Sequence, residues 1–171
     1  LTTDHKVVKN LLKEVKDGLI EDGTAIGMGL ATSVSRLKES KAKSKVIILL
    51  TDGENNSGFI DPSTAVEIAQ ESLVKVYTIG VGSYGQAPYP TTDLWGRDTY
   101  VNVNVKIDEE LLIEIAEATG GVYFRADNKE KLEKIYQQIE SMEKTELEEL
   151  KFYNYEEKFE FFAFIALGLL F

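Results

Sequence analysis

Hydrophobic residues near the start of the chain recur at the spacing of amphipathic helices. The segment 4–16 begins at Asp4, a residue type that caps helices, and one side of it carries five apolar residues: Val7, Val8, Leu11, Leu12 and Val15. A second helix is predicted to begin near Thr24, with apolar residues at spacings of four, four and three: Ile26, Leu30, Val34 and Leu37. The chain therefore opens with two helices.

Three short hydrophobic segments have the pattern of strands in a parallel sheet: Val46–Leu50, Val76–Val81 and Val122–Phe124. The first is apolar at every position, which predicts burial on both of its faces. Helices are predicted between and after the strands, each with a polar cap: Asp61, Asp108 and Asn128. The order α-α-β-α-β-α-β-α predicts a doubly wound α/β fold with a parallel sheet and helices on both faces.

Residues 82–107 interrupt this alternation and hold two of the three prolines and the single tryptophan, Trp95. Within them Thr99–Val105 alternates between apolar and polar residues, which predicts a short β-hairpin. Two interpretations of Trp95 and Tyr100 remain open. They cover an edge of the core, or they form an exposed contact for a partner protein.

The end of the chain changes composition twice. Residues 144–160 are rich in Glu and aromatic residues and are predicted to connect the domain to a membrane, whereas 161–171 are uncharged and apolar. A membrane-spanning helix needs about 20 apolar residues, so 161–171 would supply roughly half of one. A C-terminal core helix is the alternative. The absence of a polar face and the aromatic residues before the run favour the start of a transmembrane helix.

Composition narrows the possible functions. The chain has 171 residues, a length typical of one domain, and its 19 Lys and Arg against 29 Asp and Glu give a net charge of −10. This excess of acid excludes a nucleic-acid binder, which needs basic residues to neutralise phosphates. The absence of cysteine excludes disulfides, thiolate nucleophiles and zinc sites built on Cys.

Candidate chemistry lies where the first strand ends. Ligands of open α/β sheets bind at the carboxyl ends of the strands, and Asp52 follows the first strand in a polar loop that also contains Glu54 and Asn56. Thr24, at the head of the second helix, is the other candidate, and such oxygen groups suit Mg²⁺. The structural alternatives are that Thr24 only caps its helix and that Asp52 only forms a turn. Glu54 and Asn56 are predicted to be solvated loop residues.

At these positions the chain resembles the von Willebrand factor type A family. Leu49–Gly53 and Asp22–Gly27 are similar to two of the three loops that form the metal-ion-dependent adhesion site of that family. The resemblance extends over residues 1–143 and implies a doubly wound, Rossmann-like fold. It also implies a Mg²⁺ site in which Thr24 is the second-loop ligand, while also capping its helix, and Asp52 is the third-loop ligand.

The first of the three loops of that site, Asp-x-Ser-x-Ser, does not occur in the 171 residues. The resemblance places that loop after a first strand that precedes everything present here, so we expect the first three strands and their loops to be missing and the chain to be a C-terminal fragment of a longer protein. The missing first strand would pair with the segment 46–50, and its absence leaves a hydrophobic edge. We therefore expect these residues alone to be poorly stable and to hold Mg²⁺ poorly.

Together with the apolar run 161–171, the chain looks most similar to the membrane-anchored aerotolerance (Bat) proteins, whose relatives are associated with MoxR-type AAA+ ATPases. This resemblance implies a non-enzymatic interaction module, with an extracytoplasmic domain, in which the metal binds an Asp or Glu carboxylate of a partner protein. Two alternatives remain: a structural membrane component with a vestigial metal site, and an enzyme that uses Asp52 and Glu54 as an acid–base pair.

Overall fold

The computed structural model describes residues 2, 4–15, 23–42, 44–82, 85–93, 95–105 and 107–152, with the backbone alone for 85–89, 103–105 and 146–152. These residues form α1 (His5–Glu14), α2 (Ile26–Lys38), β1 (Val46–Thr51), α3 (Pro62–Glu71), β2 (Lys75–Val81), β3 (Gly85–Thr92), β4 (Asp98–Val105), α4 (Glu109–Ala118), β5 (Tyr123–Ala126) and α5 (Lys129–Phe152). The predicted order of elements is confirmed, including a hairpin between the second and third sheet strands.

The strands form two sheets. β1, β2 and β5 make a parallel sheet in the order β1-β2-β5, with Thr51 level with Gly80 and Gly80 level with Arg125. β3 and β4 form a separate antiparallel pair. Because the three parallel strands run in one direction, their carboxyl ends lie at one edge, which is where a ligand site is expected.

The main core lies between one face of the parallel sheet and three helices, α2, α3 and α4. Its fully enclosed side chains come from all four elements and include Leu30, Val34, Ala69, Val76, Leu112 and Ile115. The predicted apolar line of α2 therefore faces this core. Burial of such aliphatic side chains stabilises the domain by about 1.5–3 kcal/mol for each larger one.

The opposite face of β1 differs from the prediction. Ile48 is 37% exposed and Leu50 is 47% exposed, so the expected burial of this strand on both faces is wrong. In the part of the chain that the structure describes, β1 is the outer strand of its sheet and pairs with β2 alone. The apolar residues predicted for α1 are also exposed, although Asp4 caps this helix as expected.

The chain divides into two compact units between Ile135 and Tyr136. Helix α5 crosses this division and continues to Phe152, so the first part of the predicted connector 144–160 is helical. The predicted transmembrane segment, 161–171, lies outside the described residues. No helix among the residues that are described is long and apolar enough to cross a membrane.

One glycine allows α2 to approach the start of α3. A Cβ placed on Gly27 would collide with the carbonyl of Ile60 and the backbone that joins Asp61 to Pro62. Gly29, on the same helix, has open space around it. The absence of a side chain at Gly27 therefore allows α2 to pack this closely against the start of α3.

Candidate metal centre

The loop before α2 and the loop after β1 are joined by backbone and side-chain hydrogen bonds. The Thr24 amide donates to Asn56 Oδ1 at 2.7 Å. The Thr24 carbonyl accepts from the amides of Asn56 and Ser57 at 3.0 and 3.2 Å. These bonds bring together, at the carboxyl end of β1, the two loops that contain the predicted ligands Thr24 and Asp52.

The first free amide of α2 is capped from the other loop. The Ile26 amide donates to Asn55 Oδ1 at 2.8 Å, and the position preceding the helix is Ala25, which offers no capping side chain. The expectation that Thr24 caps its own helix is therefore wrong, because Ala25 takes the N-cap position and no side-chain hydrogen bond caps α2 from there. Asn56, predicted to be merely solvated, is exposed but binds Thr24 through its side chain.

The Thr24 hydroxyl lies against the backbone beside Asp52. A Cβ placed on Gly53 would be 3.0 Å from Thr24 Oγ1, so a larger residue at Gly53 would crowd the hydroxyl. The buried Thr51 side chain accepts a hydrogen bond from the Gly53 amide at 3.3 Å, which fixes the exit of the chain from β1. The Thr24 side chain is partly buried, and its hydroxyl makes no hydrogen bond with the described residues.

Asp52 is exposed, and within the described residues its carboxylate makes neither a hydrogen bond nor an ion pair. It does not accept the amides that follow it, so the structure gives it no turn-forming hydrogen bond. Glu54 is exposed, as predicted. The Asp52 carboxylate is therefore available to bind a cation that arrives from solvent.

These residues fit part of a metal site. A hydroxyl and a carboxylate are ligands of the kind that Mg²⁺ takes, but Mg²⁺ requires six oxygen ligands in near-octahedral order. Among the residues described, no group of three or more His, Cys, Asp or Glu side chains is placed to hold a metal ion. The roles of Thr24 and Asp52 as ligands therefore stay predictions.

A second polar group at the same sheet edge was not predicted from the sequence. Arg125, on β5, has a side chain only 14% exposed, and it donates from Nη1 to Glu109 and from Nη2 to the Gly82 carbonyl, both at 2.8 Å. These bonds tie the start of α4 and the end of β2 to β5. The sequence does show a charged residue, Arg125, inside a short strand, which indicates a buried polar partner. It does not show which residues are the partners, because Glu109 and Gly82 are distant along the chain.

Tyr123 lies next to this ion pair and over β2. Its hydroxyl would be 3.1 Å from a Cβ placed on Gly80. Burial raises the pKa of the Tyr123 hydroxyl, with a smaller rise caused by the charge of Glu109, and Arg125 acts in the opposite direction. The neutral hydroxyl is therefore favoured by the fold.

The raised pKa of Tyr123 predicts a loss of stability in alkali. The free energy that the neutral Tyr123 hydroxyl contributes to folding is fully present below the ordinary tyrosine pKa of 10.0. It is lost as the pH rises through the raised pKa of Tyr123 in the folded protein. In Tyr123→Phe we expect the melting temperature to fall less between pH 9 and 11 than in the wild type. The control is Tyr100→Phe, since Tyr100 is 70% exposed. Identical pH profiles for wild type and Tyr123→Phe would contradict this.

Removal of the Asn55 cap should loosen the start of α2. We expect Asn55→Ala to lower the free energy of unfolding by about 1–2 kcal/mol, because the Ile26 amide loses its partner. Urea denaturation measures this effect. The matched control is Glu54→Ala, which changes an exposed neighbour in the same loop and should cost less than about 0.5 kcal/mol. Equal losses in the two variants would show that Asn55 does not cap the helix.

A cleft of about 290 Å³ adjoins Asn55 between α3 and α4. Two of its acidic residues cap these helices: Asp61 Oδ1 accepts from the Ser63 amide at 2.9 Å, and Asp108 Oδ1 accepts from the Leu111 amide at 3.1 Å. The hydrogen bonds from Ser63 lower the pKa of Asp61. Both carboxylates therefore already stabilise helix starts.

The chain is similar to a known domain family and to several solved structures. Residues 1–138 match the von Willebrand factor type A domain. The solved structure of a conserved hypothetical protein, BatB, from Bacteroides thetaiotaomicron is 30% identical, with a TM-score of 0.62, over 84% of this chain and 71% of that one. An aerotolerance-related membrane protein from Bacteroides fragilis is 28% identical, with a TM-score of 0.63, over 80% and 69% of the two chains.

A third solved structure, proximal thread matrix protein 1 from the mussel byssus, has zinc in its metal-ion-dependent adhesion site. It is 26% identical, with a TM-score of 0.54, over 78% of this chain and 28% of that one. An uncharacterized protein of Borreliella burgdorferi is 30% identical over 128 residues, which are 75% of this chain. This chain spans 38% of that relative and 45% of another from Nocardia farcinica.

Proposed function

Because the chain belongs to the von Willebrand factor type A family, we propose that it is a non-enzymatic interaction module whose contact with a partner protein depends on a metal ion. The observation that supports this proposal is that the loops carrying the two candidate ligands, Thr24 and Asp52, are joined by hydrogen bonds at the carboxyl edge of the sheet. The Thr24 hydroxyl lies against the backbone beside Asp52, and neither side chain has a partner among the described residues.

Mg²⁺ is the proposed ion, held by the Thr24 hydroxyl and by Asp52, either directly or through water. The remaining ligands would come from an Asp-x-Ser-x-Ser loop, which the 171 residues do not contain. An Asp or Glu carboxylate of the partner would complete the site, because a dication attracts a carboxylate strongly in an interface that excludes water. The zinc-bound site of the mussel protein supports a divalent ion in a related domain.

The proposed setting is a membrane protein of the Bat type. The similarity to an aerotolerance-related membrane protein supports this, as does the uncharged apolar run 161–171. In this proposal 161–171 begins a transmembrane helix, the folded domain is extracytoplasmic, and the complex includes a MoxR-type AAA+ ATPase. A structural membrane component with a vestigial metal site is the alternative. An enzyme based on Asp52 and Glu54 is less well supported, because both side chains are exposed and such a pair lacks the burial that tunes catalytic carboxylates.

A titration with Mn²⁺ as a substitute for Mg²⁺ tests the metal site. We expect Thr24→Val, made in the complete protein as the cell produces it, to weaken Mn²⁺ binding about tenfold or more, since it removes one ligand but keeps the shape of the side chain. Thr64→Val, at an exposed position of α3, is the matched control and should bind as the wild type does. Wild-type affinity in Thr24→Val would overturn the ligand assignment. A wild-type protein that binds no Mn²⁺ would favour the vestigial site.

A further inference from the structure

The hairpin of β3 and β4 has two outer edges that differ in their capacity to form hydrogen bonds. The Asp93 amide donates to the Arg97 carbonyl at 2.9 Å, which makes these two residues a hydrogen-bonded pair. In an antiparallel ladder such pairs alternate with pairs whose amides and carbonyls point outward. Counting along the observed register, Pro90 opposite Tyr100 and Pro88 opposite Asn102 are outward-pointing pairs.

The outer edge of β3 is blocked by proline. Its outward positions are Gln86, Pro88, Pro90 and Thr92, and the two central ones have no amide hydrogen to donate. Prolines at such positions leave the ladder with β4 intact, since neither was required to donate to it. An additional strand therefore cannot pair along the middle of this edge.

The outer edge of β4 is open. Its outward amides and carbonyls belong to four residues that alternate along the strand: Asp98, Tyr100, Asn102 and Asn104. Among the described elements β4 pairs with β3 alone, and no other helix or strand packs along it to a comparable extent. Tyr100 is 70% exposed and Val101 is 47% exposed. The strand thus presents four donors and four acceptors to an additional strand.

We propose that β4 of a second copy of this chain pairs with this edge, antiparallel and about a two-fold axis at Val101. This register uses every outward group of the strand. Asp98 lies opposite Asn104 of the second copy and Tyr100 opposite its Asn102, and the reciprocal pairs complete the ladder.

The side-chain pairs of this register are compatible. Val101 meets Val101 of the second copy at the axis, so an apolar side chain that is half-exposed in one chain becomes covered. In this register Asp98, the charged residue of the strand, is level with position 104 of the second copy, an asparagine, rather than with another acidic residue. No like charges lie directly opposite each other. The self-complementary sequence argues for a second copy rather than an unrelated peptide.

The prolines would also limit the assembly to two chains. Pairing of β4 with β4 gives a four-stranded sheet in which β3 forms both outer edges. Pro88 and Pro90 block those edges, so further strands cannot add. The same two prolines therefore explain why only β4 pairs and why the product is a closed dimer instead of a filament.

The first test removes one outward donor. Asn102→Pro deletes the outward amide hydrogen at the edge of β4 without removing a bond to β3, because residue 102 pairs with Pro88 at an outward position. We expect it to raise the dimer dissociation constant of the complete protein about tenfold or more in sedimentation analysis. Asn102→Ala keeps the amide and should dimerise as the wild type does. Wild-type dimerisation of Asn102→Pro, or a monomeric wild type, would overturn the proposal.

A second test maps the axis by crosslinking. The chain has no cysteine, so Val101→Cys introduces a single thiol. Facing residues at such a position have Cα atoms about 4.5 Å apart, which suits a disulfide. With diamide as oxidant we expect rapid covalent dimers. Trp95→Cys, at the exposed turn, is the control, because its two thiols would lie about 40 Å apart. Equal crosslinking of both variants would exclude this register even where a dimer forms.

Discussion

Replacement of Asp52 by Ala is expected to abolish metal-dependent binding of the partner protein while the domain stays folded. Asp52 is the proposed ligand that supplies negative charge, and its loss leaves the Thr24 hydroxyl as the remaining ligand in the described residues. The fold should tolerate the change, because Asp52 is exposed and makes no hydrogen bond or ion pair with described residues. We expect a change of less than about 0.5 kcal/mol in the free energy of unfolding.

Partner capture by the complete protein, with and without Mg²⁺, measures the effect of Asp52→Ala. Glu54→Ala is the matched control: it removes a carboxylate from the same exposed loop and should retain metal-dependent capture. Undiminished capture by Asp52→Ala, or by the wild type in EDTA, would refute a metal-mediated contact. Loss of binding in both variants would point to the charge of the loop rather than to a single ligand.

The largest expected loss of stability comes from Gly27→Ala. A methyl group at this position collides with backbone atoms of Ile60 and Pro62, which cannot rotate away as a side chain would. α2 must then move from the start of α3, which separates the buried faces of both helices. We expect a loss of about 2–3 kcal/mol in the free energy of unfolding.

Gly29→Ala is the control for Gly27→Ala, since it makes the same change two residues later in the same helix. Gly29 has no neighbour within contact distance of a new methyl group, so helix propensity should raise stability by about 0.5–1 kcal/mol. Urea denaturation distinguishes the two variants by the sign of the change. Destabilisation of similar size in both would show that the close approach of α2 and α3 is not the cause.

Helices and strands were predictable from the sequence where the pattern that specifies them lies within a single segment. The apolar spacing of α2, the cap of α3 at Asp61 and the alternation of β4 are local properties, and the structure confirms each. The exposure of Ile48 and Leu50 was not predictable from their segment, because a continuous apolar run does not specify how many neighbours a strand has. A continuous run of apolar residues thus predicts a strand but not the position of that strand in the sheet.

The candidate site was predicted in part. Thr24 and Asp52 were identified from their loops, and the structure brings those loops together. The hydrogen bond from Ile26 to Asn55 joins residues 29 apart, and the pair of Arg125 and Glu109 joins residues 16 apart across separate elements. Such contacts depend on the register of the sheet and the placement of the helices, which no local spacing contains. Sequence therefore predicted candidate ligands but not the residues that position them.

The most direct test of the proposed metal site is a crystal of the complete protein containing Mn²⁺, examined by anomalous diffraction. We predict one strong anomalous peak at the carboxyl edge of the sheet, within coordination distance of Thr24 Oγ1 and next to Asp52, directly or through one water. A peak in the cleft near Asp61 and Asp108, or no peak at saturating Mn²⁺, would contradict the assignment of this edge as the site of a metal-dependent contact.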